Sequence, residues 1–212
     1  MMCKRFFVTG TDTGIGKTVT SALLCAALDA VYWKPIQTGS REGTDRATVM
    51  RIASLPCERT IPEAYCFAPP VSPHLAALLA GKRIDLRRIK MPKLSERDNL
   101  IAEGAGGVLV PVNEKELMSD LMRQLRLPAM LVARSSLGTI NHTLLSIAAL
   151  RSARIRLDGV VMVGKPNIEN RKAIERYGDV QVVGIIPPLH KLNRATLIAT
   201  FRRYFDKRVF AV

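Results

Sequence analysis

The chain has 212 residues, 48% of them hydrophobic, and its 32 Lys and Arg against 18 Asp and Glu give a formal net charge of +14. That length can bury one good core, which predicts a single domain over residues 1–212 and excludes a second. The positive balance suits nucleic acid, an acidic membrane surface or an anionic small substrate. Aromatics are only 5% of residues and do not interleave with the basic clusters, which argues against a stacking platform for single-stranded nucleic acid.

The start, MMCKRFFVTG, has no apolar stretch of signal-peptide length, and no run of about 18 apolar residues occurs anywhere, so a cytoplasmic protein without a membrane span is expected. Phe6, Phe7 and Val8 form an apolar run and lead into GTDTGIGKT at residues 10–18. A 3.6-period apolar pattern follows at Val19, Ala22, Leu23, Ala26, Ala27 and Ala30, so the order is strand, Gly-rich turn, helix. A phosphate loop needs that context. Its glycines let backbone N–H groups close on a polyphosphate, and the helix start adds the positive end of its dipole. Lys17 then reaches the β- and γ-phosphates, and the Thr18 hydroxyl faces Mg²⁺. The usual spacing places Thr11 where the first glycine stands, Gly10 lying one residue further back.

A short strand at Val31, Tyr32 and Trp33 runs into KPIQTG at residues 34–39, which completes a βαβ crossover. Lys34 sits at the carboxyl end of that strand, where open parallel sheets place their chemistry, and it is either a functional group or an exposed strand-end lysine. Thr38 and Gly39 read as a turn whose hydroxyl can meet a ligand. Asp45 precedes a helical segment at residues 47–55, as its cap or as a metal ligand. The proline-rich residues 61–73 read as an extended surface connection ending in SPHLAALLAG, with Ser72 as a helix cap and Pro73 in the first turn. His74 falls among the exposed amides of that helix start, and the basic stretch 82–93 reads as a solvated face.

Leu100, Ile101 and Ala102 form a buried strand that ends in EGAGGVLVP. An acid at a strand's carboxyl end beside a glycine cluster is the Walker B arrangement, so Glu103 is expected to hold Mg²⁺ through water. Helix over 118–127, strand over 129–133 and a loop at 135–138 come next, then a helix whose first N–H groups, near residues 139–141, can hold a carboxylate. Strands over 160–163 and 182–186 with helical sequence between them, and a closing helix over 195–205, complete the alternation. The whole predicts an α/β fold of phosphate-loop NTPase type, a mostly parallel sheet with helices on both faces. Cys3, Cys25, Cys57 and Cys66 have neither CxxC nor metal-ligand spacing and read as reduced, mostly structural thiols.

GTDTGIGKT, KPIQTG, SPHLAA, EGAGGVLVP and LGTINHTLLS, in this order and at these separations, resemble dethiobiotin synthetase over residues 6–189. The resemblance implies a homodimeric, Mg²⁺-dependent ligase of biotin biosynthesis. Its substrates are 7,8-diaminopelargonate, CO₂ or bicarbonate, and ATP; its products are dethiobiotin, ADP and phosphate. It implies that Lys34, Lys17 and Thr11 are catalytic and that Thr18, Asp45 and Glu103 face the metal. Thr38, Ser72 and the helix start Gly138, Thr139, Ile140 and Asn141 would bind the diamine, the helix start doing so across the dimer interface. The nucleotide would lie on Gly14, Ile15, Gly16, Lys17, Thr18 and Val19, beside Asp45, Glu103, Gly104, Ala105 and Gly106. Its base would meet Val163, Gly164, Pro187, Pro188 and Leu189, although the family often carries an adenine-reading Asn-Asp where this chain has Val163 and Gly164.

Two rivals share the phosphate loop. A cobyrinate-type amidoligase would lack KPIQTG and SPHLAA, and a partitioning or positioning ATPase of the ParA and MinD sort would carry a second lysine where this loop has Thr11 and Asp12. The dispersed lysines and arginines come with no recognition motif, so neither specific nucleic-acid binding nor membrane association is expected.

Overall fold

The computed structural model describes residues 3–210. The strands β1 (Arg5–Gly10), β2 (Val31–Trp33), β4 (Thr60–Ile61), β6 (Leu100–Glu103), β7 (Ala129–Arg134), β8 (Leu157–Val163) and β9 (Val182–Ile186) form one sheet. Its order is β4-β2-β6-β1-β7-β8-β9. Every pairing in it is parallel, and the central β1 runs between β6 and β7 with Val8 opposite Glu103 and Gly10 opposite Val132.

Strand alternation divides the core into two layers. Phe6, Val8, Tyr32, Ile101, Met130 and Val132 face one way, beneath α1 (Lys17–Leu28), α2 (Asp45–Ala53), α7 (Arg194–Tyr204) and α8 (Lys207–Phe210). Phe7, Trp33, Leu100, Ala102, Leu131 and Ala133 face the other, against α3 (Pro73–Leu79), α4 (Met118–Leu125), α5 (Thr139–Ser152) and α6 (Ile168–Gly178). The near-continuous apolar runs of the strands follow from this double cover, since neither face of a parallel sheet meets water. No helix among the described residues is long and apolar enough to cross a membrane.

Four local readings are corrected. Residues 61–73 are more than a surface connection: Thr60 and Ile61 add β4 to the sheet edge, while β3 (Ile36–Gln37) and β5 (Tyr65–Cys66) pair in a small sheet of their own. Pro62 supplies no N–H, which limits β4 to its two residues. Asp45 is the first residue of α2, not its cap; the cap is Thr44, whose Oγ1 accepts from the Ala47 N–H at 3.1 Å. The basic stretch 82–93 is anchored rather than merely solvated, because Ile84, Leu86 and Ile89 alternate with its cations and are buried in the core. The four cysteines are free, and Cys57 and Cys66 are exposed, so only Cys25 packs in the interior as a structural thiol would.

Candidate active site

The carboxyl ends of β1, β2 and β6 meet at one edge of the sheet, and register decides what meets there. Tyr32 lies opposite Ile101 and Trp33 opposite Ala102. Lys34 and Glu103 therefore emerge side by side on the face that α1 covers.

After β1, the Thr11 N–H donates to the Val132 carbonyl at 3.0 Å and prolongs the β1–β7 pairing, and the chain then loops over to α1. Gly16 occupies the N-cap with φ 99°, in the left-handed region, and a Cβ there would stand 2.9 Å from Val163 Cγ1. Only glycine suits that position. No side chain caps α1, so its first N–H groups point at the mouth of the loop, a ready-made anion site. Lys17 folds back over the loop and donates to the Asp12 carbonyl at 2.7 Å. Burial lowers its pKa to about 8, against the opposing pull of the Glu103 carboxylate.

Below the loop is a compact charged cluster. Lys34 Nζ is ion-paired with Asp45 Oδ2 and lies 3.2 Å from Glu103 Oε1. The Thr18 hydroxyl lies within reach of both acids, 2.8 Å from Asp45 Oδ1 and 3.0 Å from Glu103 Oε1. Lys34 is 5% exposed and Glu103 1%. Burial by itself would lower the Lys34 pKa; Glu103 and Asp45 outweigh it, so the ammonium is held above its ordinary value. Burial works against the Asp45 carboxylate too, and Lys34 outweighs it, so that group is held below the usual carboxylate range. Gln37 steadies Asp45 from behind: its Oε1 accepts from the Asp45 N–H at 3.1 Å.

These groups line a cleft of about 510 Å³. Of the residues singled out from the sequence, it brings together Gly14, Gly16, Lys17, Thr18, Val19, Lys34, Thr38, Asp45, Ser72, Glu103, Ala105 and Gly106. Lys34 is not an exposed strand-end lysine. Ser72 does stand at the N-cap of α3, yet its hydroxyl lies 3.1 Å from His74 Nδ1 and caps no backbone N–H. Ile15 is core, 4% exposed. Thr11 and Gly104 lie outside the cleft lining, as do Val163, Gly164, Pro187, Pro188 and Leu189. Pro188 and Leu189 line a separate hollow of about 430 Å³ with His190 and Tyr204. Gly138, Thr139, Ile140 and Asn141 open α5 outside the cleft; Gly138 is an uncapped N-cap with φ 88°, while the buried Thr139 hydroxyl is spent on the Arg134 carbonyl.

Thr13, Pro70, Val71, Pro73 and Val110 also line the cleft and were not foreseen. Pro70 reads only as a breaker and Pro73 as a first-turn residue, and nothing in their spacing marks a wall. Among the described residues, no three His, Cys, Asp or Glu side chains gather as a metal group. Two carboxylates and one hydroxyl do converge, and such hard oxygen donors suit Mg²⁺, which keeps several waters and takes the rest of its shell from phosphates.

A parallel sheet, a glycine loop closing on an uncapped helix, a buried lysine on that loop and an acid at the neighbouring strand's end define a phosphate-loop nucleotide-binding protein. A family model described as an AAA domain matches residues 4–196. Solved structures agree on the fold: the MinC:MinD cell division complex of Aquifex aeolicus superposes with a TM-score of 0.55 at 16% identity, covering 92% of this chain and 85% of that one. A ParA family ATPase from Chlorobium tepidum gives 0.53 at 12%, covering 95% and 93%. Sequence relatives are much nearer. The ATP-dependent dethiobiotin synthetase BioD of Paramagnetospirillum magneticum is 52% identical over 191 residues, 90% of this chain and 91% of its own length. That of Brucella melitensis biotype 1 is 48% identical over 210 residues, 99% and 98%. The chain belongs to the dethiobiotin synthetase family.

Proposed function

We propose that this chain, as a single domain, is an ATP-dependent dethiobiotin synthetase acting on 7,8-diaminopelargonate. The observation that carries the reading is the second buried lysine: besides Lys17 on the loop, Lys34 enters the same cleft, flanked by Asp45 and Glu103. A nucleotidase needs cations only for its triphosphate, whereas a ligase that phosphorylates a carbamate must also hold a second anion against it.

In this reading one amine of the diamine adds to CO₂ and loses a proton, giving a carbamate. A carbamate oxygen attacks the γ-phosphorus of ATP, the bond to the bridging oxygen breaks and ADP departs. The second amine then attacks the carbonyl carbon of the mixed anhydride, loses a proton and expels phosphate, which closes the ureido ring. Lys17 and Lys34 offset the repulsion of the two anions and the charge that develops between them. Thr18, Asp45 and Glu103 would hold Mg²⁺, which supplies further neutralisation of the phosphates. Thr11 opens the loop outside the cleft lining, so its part in the carbamate and phosphate site rests on the family resemblance alone.

Thr38 and Ser72 on the cleft wall suit the diamine, and the small residues Ala105 and Gly106 leave room for it. The uncapped start of α5 suits its carboxylate. That start lies outside the cleft, and beside it Leu137 is fully exposed, with Leu145 61% exposed on α5; a second copy of the chain covering them would bring one protomer's helix to the other's cleft. The enzyme is accordingly read as a homodimer, working in the cytoplasm.

The test is product formation. The purified protein, with diaminopelargonate, bicarbonate, Mg²⁺ and ATP, should release dethiobiotin and phosphate in equal amounts, and omission of any one component should stop both. ATP hydrolysis stimulated by DNA or lipid, with no dethiobiotin, would sink the reading.

A further inference from the structure

Tyr32 has no part in the chemistry described above, and yet it touches the cluster. It is fully buried, in the layer beneath α1, and its hydroxyl donates to Glu103 Oε2 at 3.0 Å. The two oxygens of that carboxylate have separate partners. Oε1 faces the cleft, 3.0 Å from the Thr18 hydroxyl and 3.2 Å from Lys34 Nζ, whereas Oε2 is held from the core side by the phenol.

Register explains why a tyrosine reaches it. Tyr32 lies opposite Ile101, and Glu103 is the next residue of β6 on the same face, a diagonal neighbour within the span of a phenol ring. The terminal torsion of a glutamate is broad and roughly two-fold, so by itself it leaves the carboxylate free to turn. A buried phenol does not give up its acceptor cheaply, so turning away from Oε2 would leave both groups unpaired.

We infer that Tyr32 is a positioning residue: it fixes the Glu103 carboxylate with Oε1 turned to the cleft, and so sets the affinity of the nucleotide site for a divalent cation. The inference rests on reading Glu103 as a metal-facing acid. Tyr32→Phe removes one oxygen and keeps the ring, so the core stays filled. With Mn²⁺ as the probe, read by electron paramagnetic resonance in the presence of a non-hydrolysable ATP analogue, the variant should bind the cation about tenfold more weakly, the scale of a lost partner behind a ligand. Its affinity for the analogue without metal should stay at the wild-type value, a split that general loosening of the core would not produce.

Glu103→Gln is measured alongside. Should it leave Mn²⁺ affinity unchanged, the metal reading fails and the inference with it; should it weaken binding while Tyr32→Phe does not, the inference alone fails. A second measurement needs no variant. With tyrosine labelled at ¹³Cζ, Mg²⁺ added to the wild-type enzyme and the analogue should move the resonance of one of the four tyrosines in step with occupancy of the site. No movement in any of them would overturn the inference.

Discussion

Exchanging ATP for GTP or CTP alters only the base, and the carboxyl end of β8, where the proposed nucleotide site puts that base, offers little that can tell bases apart. Two of its backbone groups are already engaged: the Val163 carbonyl accepts from the Ser135 N–H at 2.9 Å, and the Gly164 N–H donates to the Ile186 carbonyl at 2.9 Å. The Val163 methyls pack on Gly16. A side chain at Gly164 is barred, since φ is 127° and a Cβ would stand 2.5 Å from Ser135 Oγ. Pro187 and Pro188, at the end of β9, have no N–H to give. An amide side chain pairing with adenine N6 and N7 is worth about 1–3 kcal/mol of discrimination. Without one, binding falls mainly to residues 14–18, which do not sense the base. The expected preference for ATP over GTP or CTP is therefore under about tenfold in kcat/KM, or less than roughly 1.4 kcal/mol. Competition kinetics with paired triphosphates, quantifying dethiobiotin, measures it. A preference of a hundredfold or more would refute the reasoning and point to the carbonyls of Pro187 or Pro188 as readers of N6.

Lys34→Ala should leave nucleotide affinity by calorimetry near wild type while turnover falls by about two to three orders of magnitude, the scale of one preorganised charge; turnover near wild type would remove Lys34 from the mechanism. Glu103→Gln keeps the shape and loses the charge, so the Mg²⁺ concentration for half-maximal turnover should rise, and an unchanged titration would place the acid away from the metal. Burial lowers Lys17 to about 8 in the free protein, and phosphates favour its charged form. Nucleotide binding should thus take up a proton above pH 8, with affinity falling by up to about tenfold per pH unit there. Calorimetry in buffers of different ionisation enthalpy would detect the proton, and a flat affinity between pH 7 and 9.5 would contradict the shift.

Much of the fold was legible because its signals are local. The helix start at Lys17, the strand at Val31–Trp33 and the strand at Val182–Ile186 each follow from an apolar run bounded by a glycine, a proline or a charge. Two-residue pairings such as β3 with β5 carry no such signal. They arise only when distant segments meet, and Tyr65 and Cys66 have no periodicity to announce them. The cap of α2 was misplaced by one residue for a related reason. Thr44 and Asp45 are both good caps by type, and the choice was made by the cleft, which claims the Asp45 carboxylate for Lys34 and Thr18 and leaves the threonine to close the helix.

The site divides along the same line. Lys17, Thr18, Lys34 and Glu103 could be named because Lys17 and Thr18 open the helix after β1, Lys34 follows β2 and Glu103 ends β6, and position relative to a strand's end is a property of sequence. What supports them was hidden, because support acts across strands. Tyr32 reads as one more apolar strand residue until β2 is laid against β6, and only the register reveals that its hydroxyl meets Glu103. Gln37 likewise carries no signal of its own within KPIQTG, although its amide spans from the Thr38 carbonyl to the Asp45 N–H. A residue that acts through another needs no motif of its own, only a neighbour at hydrogen-bond distance. Variation among relatives at positions 32 and 37 should therefore track how each one holds its own Glu103 and Asp45, rather than track the reaction itself.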